Sequence, residues 1–174
     1  MPASADTLPG DTLYSFKLAG ERIRLALSRE DSGDALLHAS FASRRASEME
    51  RAVGLGRLGA LPELQERFSE HARAAFALSA EDEAVAVEVA GLLGHSADVL
   101  TALLDRLPPG GAAGVQNALD SQAAAREALI ERFEERGRPL PQGLQSKIDG
   151  EHPGKGGPPE STPPGLGDEG PSGD

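Results

Sequence analysis

The 174-residue chain has no cysteine and no tryptophan, and its aromatic residues are one Tyr and five Phe. Without cysteine there is no disulfide framework, thiolate nucleophile or Cys-ligated zinc site. With so few rings, a core must be built mainly from Leu, Ala and Val, which favours helices that approach closely through alanine faces. Uninterrupted apolar runs of about 18 residues are also missing, so neither a spanning helix nor a signal peptide is expected within the chain. Contact with a membrane is expected only through an anchor that the chain does not contain. Positive charge is scarce as well. The formal net charge is -11, and residues 1–60 balance eight Lys and Arg against eight Asp and Glu, so the whole excess lies later. A phosphate backbone needs a basic face to release its counterions, which excludes nucleic acid as a partner, and an anionic membrane surface is disfavoured on the same ground.

What is present reads as helix. Residues 1–10 form a leader ending in Pro9-Gly10, and Asp11 or Thr12 is placed to cap a first helix over about 12–28. Leu13, Phe16, Gly20, Ile23 and Leu27 recur at helical spacing, with Tyr14, Leu18 and Leu25 widening the stripe, and define its expected inward face. After the polar turn Arg29 to Asp34, with Asp31, Ser32 or Asp34 as cap, Leu37, Phe41, Ala42, Ala46, Met49 and Val53 continue the period in a second helix that decays at Gly54, Gly56 and Gly59. So short a connection implies an antiparallel hairpin. Pro62 opens a third helix, with Leu64, Phe68, His71, Ala75 and Leu78 on its face. Ser79, with Asp82 three residues on, is expected to cap a fourth, whose face is Val85, Val89, Leu92, Leu93, Ser96, Leu100, Leu103 and Leu107. The stretch LPPGGAAG, Leu107 to Gly114, reads as a break. A fifth helix is expected from about Val115 to Arg136, with Leu119, Ala123, Leu129, Ile130 and Phe133 inward and a stop at Gly137. Nearly half of residues 138–174 are Gly or Pro, a composition unable to bury enough apolar surface to fold. The expected architecture is an all-α antiparallel bundle of about five helices over 11–137, followed by a disordered, acidic Pro/Gly-rich tail.

Little in the chain points to chemistry. His38, His71, His95 and His152 carry no His partner at the i, i+3 or i+4 spacing that lets one helix offer two metal ligands. Gly54 to Ala60, GLGRLGA, lacks the Gly-Lys-Ser/Thr end of a phosphate loop and follows a helix, so it reads as an interhelical turn. No nucleophile elbow is present. No catalytic residue, cofactor or metal ligand is therefore assigned, and the protein is not expected to be an enzyme.

The more informative polar set is Lys17, Glu21, Arg44, Arg45 and Glu48. Lys17 and Glu21 are spaced i, i+4 on the first helix, as are Arg44 and Glu48 on the second. An antiparallel hairpin brings positions 17–21 opposite 42–48, where a cross-helix ion network is geometrically reasonable; solvated surface pairs worth a few tenths of a kcal/mol each, ~0.3–0.5, are the bland reading.

With Leu8, Pro9, Gly10, Asp11, Leu13, Tyr14, Glu21 and Leu25, and then Phe41, Ala42, Arg45 and Glu48, the stretch containing Lys17 resembles a bacterial domain of unknown function with the pattern L-P-G-D-x-L-Y-x-x-K-x-x-x-E, then F-A-x-x-R-x-x-E. The residues singled out are Pro9, Gly10, Asp11, Leu13, Tyr14, Lys17, Glu21, Phe41, Arg45 and Glu48. The resemblance implies a domain lying outside a bacterial cytoplasmic membrane, in membrane-anchored anti-sigma factors or in exported proteins, with a protein partner and no established catalytic residues. The function expected from it is that of a noncatalytic sensor or interaction module. A cell-envelope ligand- or metal-binding protein, using a cleft lined by His71, His95 and acids, is the alternative.

Overall fold

The computed structural model describes residues 7–28, 30–141 and 144. Among them, five α-helices form the fold with no strand: α1 Tyr14–Leu27, α2 Asp31–Gly54, α3 Leu61–Leu78, α4 Glu83–Leu104 and α5 Pro109–Glu135. The last four make a bundle in which α2 packs on α3 and α4, and α5 closes the opposite side against the same two helices. α1 lies outside this bundle on α2.

The alanine faces set the spacing. Ala35, Ala39, Ala42, Ala46 and Met49 form one fully buried stripe along α2, and α3 sets Leu64, Phe68, Ala72 and Ala75 into the same core. Small residues on one helix leave room for a ring or a Leu from the next, so the few aromatics go where they fill most volume. Phe41, Phe68, Phe76 and Phe133 are each essentially inaccessible.

Local chemistry explains the helix ends. Two helices stop on a glycine with positive φ, Gly56 after α2 and Gly137 after α5. In each case the next residue bonds back to the last turn, Arg57 N–H to Ala52 O at 2.8 Å and Arg138 N–H to Phe133 O at 2.9 Å. These are paired αL caps, a geometry that glycine reaches without a Cβ clash. Ser79 does not cap α4 as expected; its hydroxyl donates to Phe76 O at 3.1 Å. The cap is Asp82, whose carboxylate accepts from the N–H groups of Ala84 and Val85 at 3.0 and 3.2 Å. α2 begins at Asp31 after Glu30, which makes no side-chain cap bond.

The break before α5 is shorter than expected. Pro108 is extended at φ -64°, ψ 158°, and Pro109 takes the first helical position, where its missing N–H costs nothing. The helix then runs through Gly110, Gly111 and Gly114, six residues ahead of the expected start at Val115. Gly114 lies against α3 so closely that a Cβ there would clash with the side-chain amide of Gln65. Gly114, part of the stretch read as a breaker in sequence, thus permits a close contact with α3. On α5 it is Gln122 that turns inward, donating to Leu93 O at 3.0 Å, while Ala123 is exposed.

Two boundaries extend beyond expectation. Leu8 is buried in the core, and so is Leu144, with Leu140 packed beside it. Residues 145–174 of the expected tail lie outside the described residues. By length and mean hydropathy, 1.4 over its most apolar stretch, α4 would suffice to cross a membrane. In the fold Ala86, Val89, Leu93, Leu100 and Leu103 pack into the core, although Leu92, expected inward, is 38% exposed.

Replacing Asp82 with Ala removes the α4 cap and is expected to lower stability by about 1 kcal/mol, read from the urea midpoint.

Candidate functional site: a buried ionic latch

The stretch LPGD is a β-turn. Asp11 N–H donates to Leu8 O at 3.0 Å, Pro9 occupies the second position and Gly10 the third, at φ 93°. That is the type II geometry, which needs positive φ at its third residue and so favours glycine there. Asp11 closes the turn from the other side: its carboxylate accepts from Leu8 N–H at 2.8 Å. It does not cap α1, contrary to expectation; α1 begins three residues later with no side-chain cap at all. Arg57, from the loop after α2, clamps the turn by donating to Pro9 O and pairing with Asp11 Oδ1, both at 3.0 Å. The bonds from Leu8 N–H and Arg57 hold the Asp11 carboxyl below the usual range. No sequence signal marked Arg57 as this partner, because 46 residues separate it from Asp11 and only the folded loop brings it back.

From this turn α1 runs antiparallel along α2, and the side chains it buries are Tyr14, Lys17 and Glu21. Each meets a charged group of α2. Lys17 Nζ donates to Glu48 Oε1 and, at 3.4 Å, to Thr7 O. Glu21 Oε1 accepts from Arg45 at 2.5 Å and from Arg44 at 2.8 Å. Arg45 completes the set, donating to Glu48 Oε2 at 2.8 Å and to the Tyr14 hydroxyl at 2.9 Å. The side chains of Arg45 and Glu48 are 0% and 1% exposed, and those of Lys17 and Glu21 4% and 6%. Two buried cations thus face two buried carboxylates, with the half-exposed Arg44 at the rim. Burial pushes Glu48 up from its ordinary value, and the charges of Arg45 and Lys17 pull it back. Tyr14 is likewise pushed up by burial.

Of the ten residues singled out in sequence, the structure therefore brings Tyr14, Lys17, Glu21, Arg45 and Glu48 into one network. Pro9, Gly10 and Asp11 form the turn that leads to it. Phe41 is buried beside it, one turn before Arg45, with Arg44 stacked over its ring at 5.7 Å. Leu13 stands apart, 43% exposed. The rest of the expected inward face of α1 is exposed with it: Phe16 at 70%, Ile23 at 58% and Leu27 at 73%. α1 is turned so that Lys17 and Glu21 face α2 together with the buried Tyr14 and the half-buried Leu18 and Leu25, which widened the expected stripe, while Leu13, Phe16, Ile23 and Leu27 face solvent.

Next to Phe41 lies a contact absent from the sequence reading. His38 on α2 and His71 on α3 meet Nδ1 to Nδ1 at 2.9 Å, and the Phe41 ring is 5.4 Å from that of His71. One imidazole must donate and the other accept, so at least one is neutral. Burial, and after it the charges of His38, Arg45 and Arg67, push His71 down to about 4. Burial also lowers His38, partly offset by the nearby Asp34 carboxylate. His95, the other histidine of the alternative cleft, is exposed on α4. His152 lies outside the described residues. Among the described residues no three His, Asp or Glu side chains converge as a metal set. The cleft of about 480 Å³ beside the LPGD turn, lined by Pro9, Gly10, Arg57, Gly59, Ala60 and Glu63, holds two charged side chains. Both are engaged elsewhere, Arg57 with Asp11 and Glu63 with Arg67.

The fold and its latch define a small all-α module whose ionised interior groups fasten one helix to another. Residues 6–110, more than half of the chain, match the family described as Domain of unknown function (DUF5667), and the chain belongs to that family. No curated protein and no solved structure matches it. The matched range takes in the turn, the latch and the His pair, and it ends as α5 begins.

Arg45→Met leaves Glu21 and Glu48 buried beside too little positive charge and is expected to destabilise the fold by about 3–5 kcal/mol. Tyr14 is the sole Tyr and there is no Trp, so its fluorescence during urea unfolding reports the release of α1 directly. The His pair sets a pH dependence. Its folded pKa values lie below the unfolded value of about 6.5, so its contribution is complete above that pH and is lost as pH falls toward the lowered folded values. The urea midpoint is expected to drop between pH 7 and pH 5, and the drop to flatten in His71→Gln.

Proposed function

We propose that the protein is a noncatalytic helical interaction module acting outside a bacterial cytoplasmic membrane, linked to membrane-anchored signalling of the anti-sigma-factor kind. The observation that carries this reading is the orientation of α1. Its Tyr14, Lys17 and Glu21 are committed to the latch, where they hold α2, and Leu13, Phe16, Ile23 and Leu27 are left facing outward. Catalysis needs a polar group free to meet a substrate. An interaction module needs an apolar surface on a rigid support, and contiguous exposed apolar patches on small soluble domains mark such surfaces. The resemblance of residues 8 to about 60 to the extracytoplasmic part of anti-sigma factors and exported proteins supports the location and the signalling role.

The location is tested by fusing alkaline phosphatase to the product of the complete genomic reading frame. Active phosphatase, which requires export, is expected. An inactive fusion with an intact, folded domain in the cytoplasm overturns the reading.

A further inference from the structure

The apolar stripe of α1 follows a pattern of its own. Leu13, Phe16, Gly20, Ile23 and Leu27 are spaced by alternating steps of three and four, the repeat that keeps a seam facing a partner helix. Gly20 sits at its centre, and no atom lies within 4 Å of where its side chain would begin. The seam therefore has a hole flanked by Phe16 and Ile23, both more than half exposed.

Charge narrows the occupant. α1 has one carboxylate, Glu21, and it is buried in the latch. Its exposed charges are Arg22 and Arg24. By helical spacing Arg24 borders the seam on one side, and Arg22 lies on the other beyond Ala19 and Ala26. A helix whose exposed charges are all cationic, with Arg24 at the rim of its seam, is an exception in a chain with 28 acids against 17 bases. A second copy pairing through α1 would bring the same arginines and no exposed acid of α1 itself, so the two helices gain nothing from each other's charge. An anionic bilayer would attract the rim but repel a body of net charge -11. We infer that the outward face of α1 docks an acidic amphipathic helix of a partner protein, with Leu- or Ile-type knobs against the Phe16–Gly20–Ile23 hole and Glu or Asp beside Arg24. This rests on the interaction-module reading above and names the partner's chemistry.

The probe is a pair of labelled synthetic helical peptides of about three heptads, with Leu at the seam and either Glu or Lys at the flanking positions. Fluorescence anisotropy is expected to show the Glu peptide binding at least about tenfold tighter than the Lys peptide, and loosening as salt rises. Ile23→Glu should abolish this binding with an unchanged melting temperature, since the residue is exposed. Arg24→Glu should invert the preference between peptides, which a purely structural role would not do. Binding of neither peptide, equal binding of both, or a preference indifferent to Arg24→Glu overturns the proposal. So does Ile23-dependent binding to vesicles of phosphatidylcholine and phosphatidylglycerol, which assigns the face to lipid, or an Ile23-dependent dimer in sedimentation, which assigns it to a second copy. A cytoplasmic phosphatase fusion would remove the assigned location and leave the peptide result intact, so the two failures are distinguishable.

Discussion

Arg45 is the constraint from which the N-terminal half of the structure follows. A guanidinium that is fully buried must find carboxylates and acceptors inside the protein, because its desolvation is otherwise far too costly. α2 supplies one carboxylate itself, Glu48, one turn later on the same face. The remaining requirement, a second acid and a hydroxyl, can be met only by a neighbouring chain segment, and α1 delivers Glu21 and Tyr14. Lysine in place of Arg45 would not serve three acceptors in these directions, since the arrangement uses the planar fork of the guanidinium. Lys17 then balances the second carboxylate. Such networks contribute modestly to net stability but discriminate strongly among arrangements, because any rotation of α1 that separates the charges leaves buried ions unpaired.

The turn before α1 works in the same direction. A helix held mainly by ions needs its starting point fixed, or the register of Tyr14, Lys17 and Glu21 against α2 would slide. Leu8 is sunk in the core, the type II turn reverses the chain, and Arg57 ties that turn to the far end of α2. Thr7 O, accepting from Lys17, connects the residue before the turn to the latch. The chain thus enters α1 from a point fixed by burial on one side and, on the other, by one ion pair and two hydrogen bonds to backbone carbonyls.

Much of this was legible in residues. The five helices, the antiparallel hairpins, the alanine-built core and the glycine stop at 137 all follow from periodicity and from the conformational reach of glycine, both local properties. The ion network was legible as a geometric option, because i, i+4 charges on two antiparallel helices must face either each other or solvent. Its burial was not, since the same charges on a surface leave an identical pattern. Other features depended on distant partners and left no local trace. Asp11 reads as a cap until Arg57 and Leu8 N–H are seen to occupy its carboxylate. Gly111 and Gly114 read as a breaker until α3 is placed against them. His38 and His71 are 33 positions apart, and only the crossing of α2 and α3 makes them a pair.

The largest departure, the orientation of α1, shows where hydrophobic periodicity loses its authority. The rule that the apolar stripe faces the core assumes that the polar stripe gains most from water. That assumption fails when the facing helix already carries a buried charge. Turning Leu13, Phe16, Ile23 and Leu27 inward would gain about 1.5–3 kcal/mol for each side chain fully buried. The same rotation would leave Arg45 and Glu48 buried without Glu21 and Lys17, and breaking buried pairs costs about 3–5 kcal/mol for each partner removed. The two quantities are comparable, and in the structure the arrangement that keeps the ions paired prevails. An apolar seam kept outward by that balance is a standing source of binding energy, available to any helix that covers it without disturbing the latch beneath.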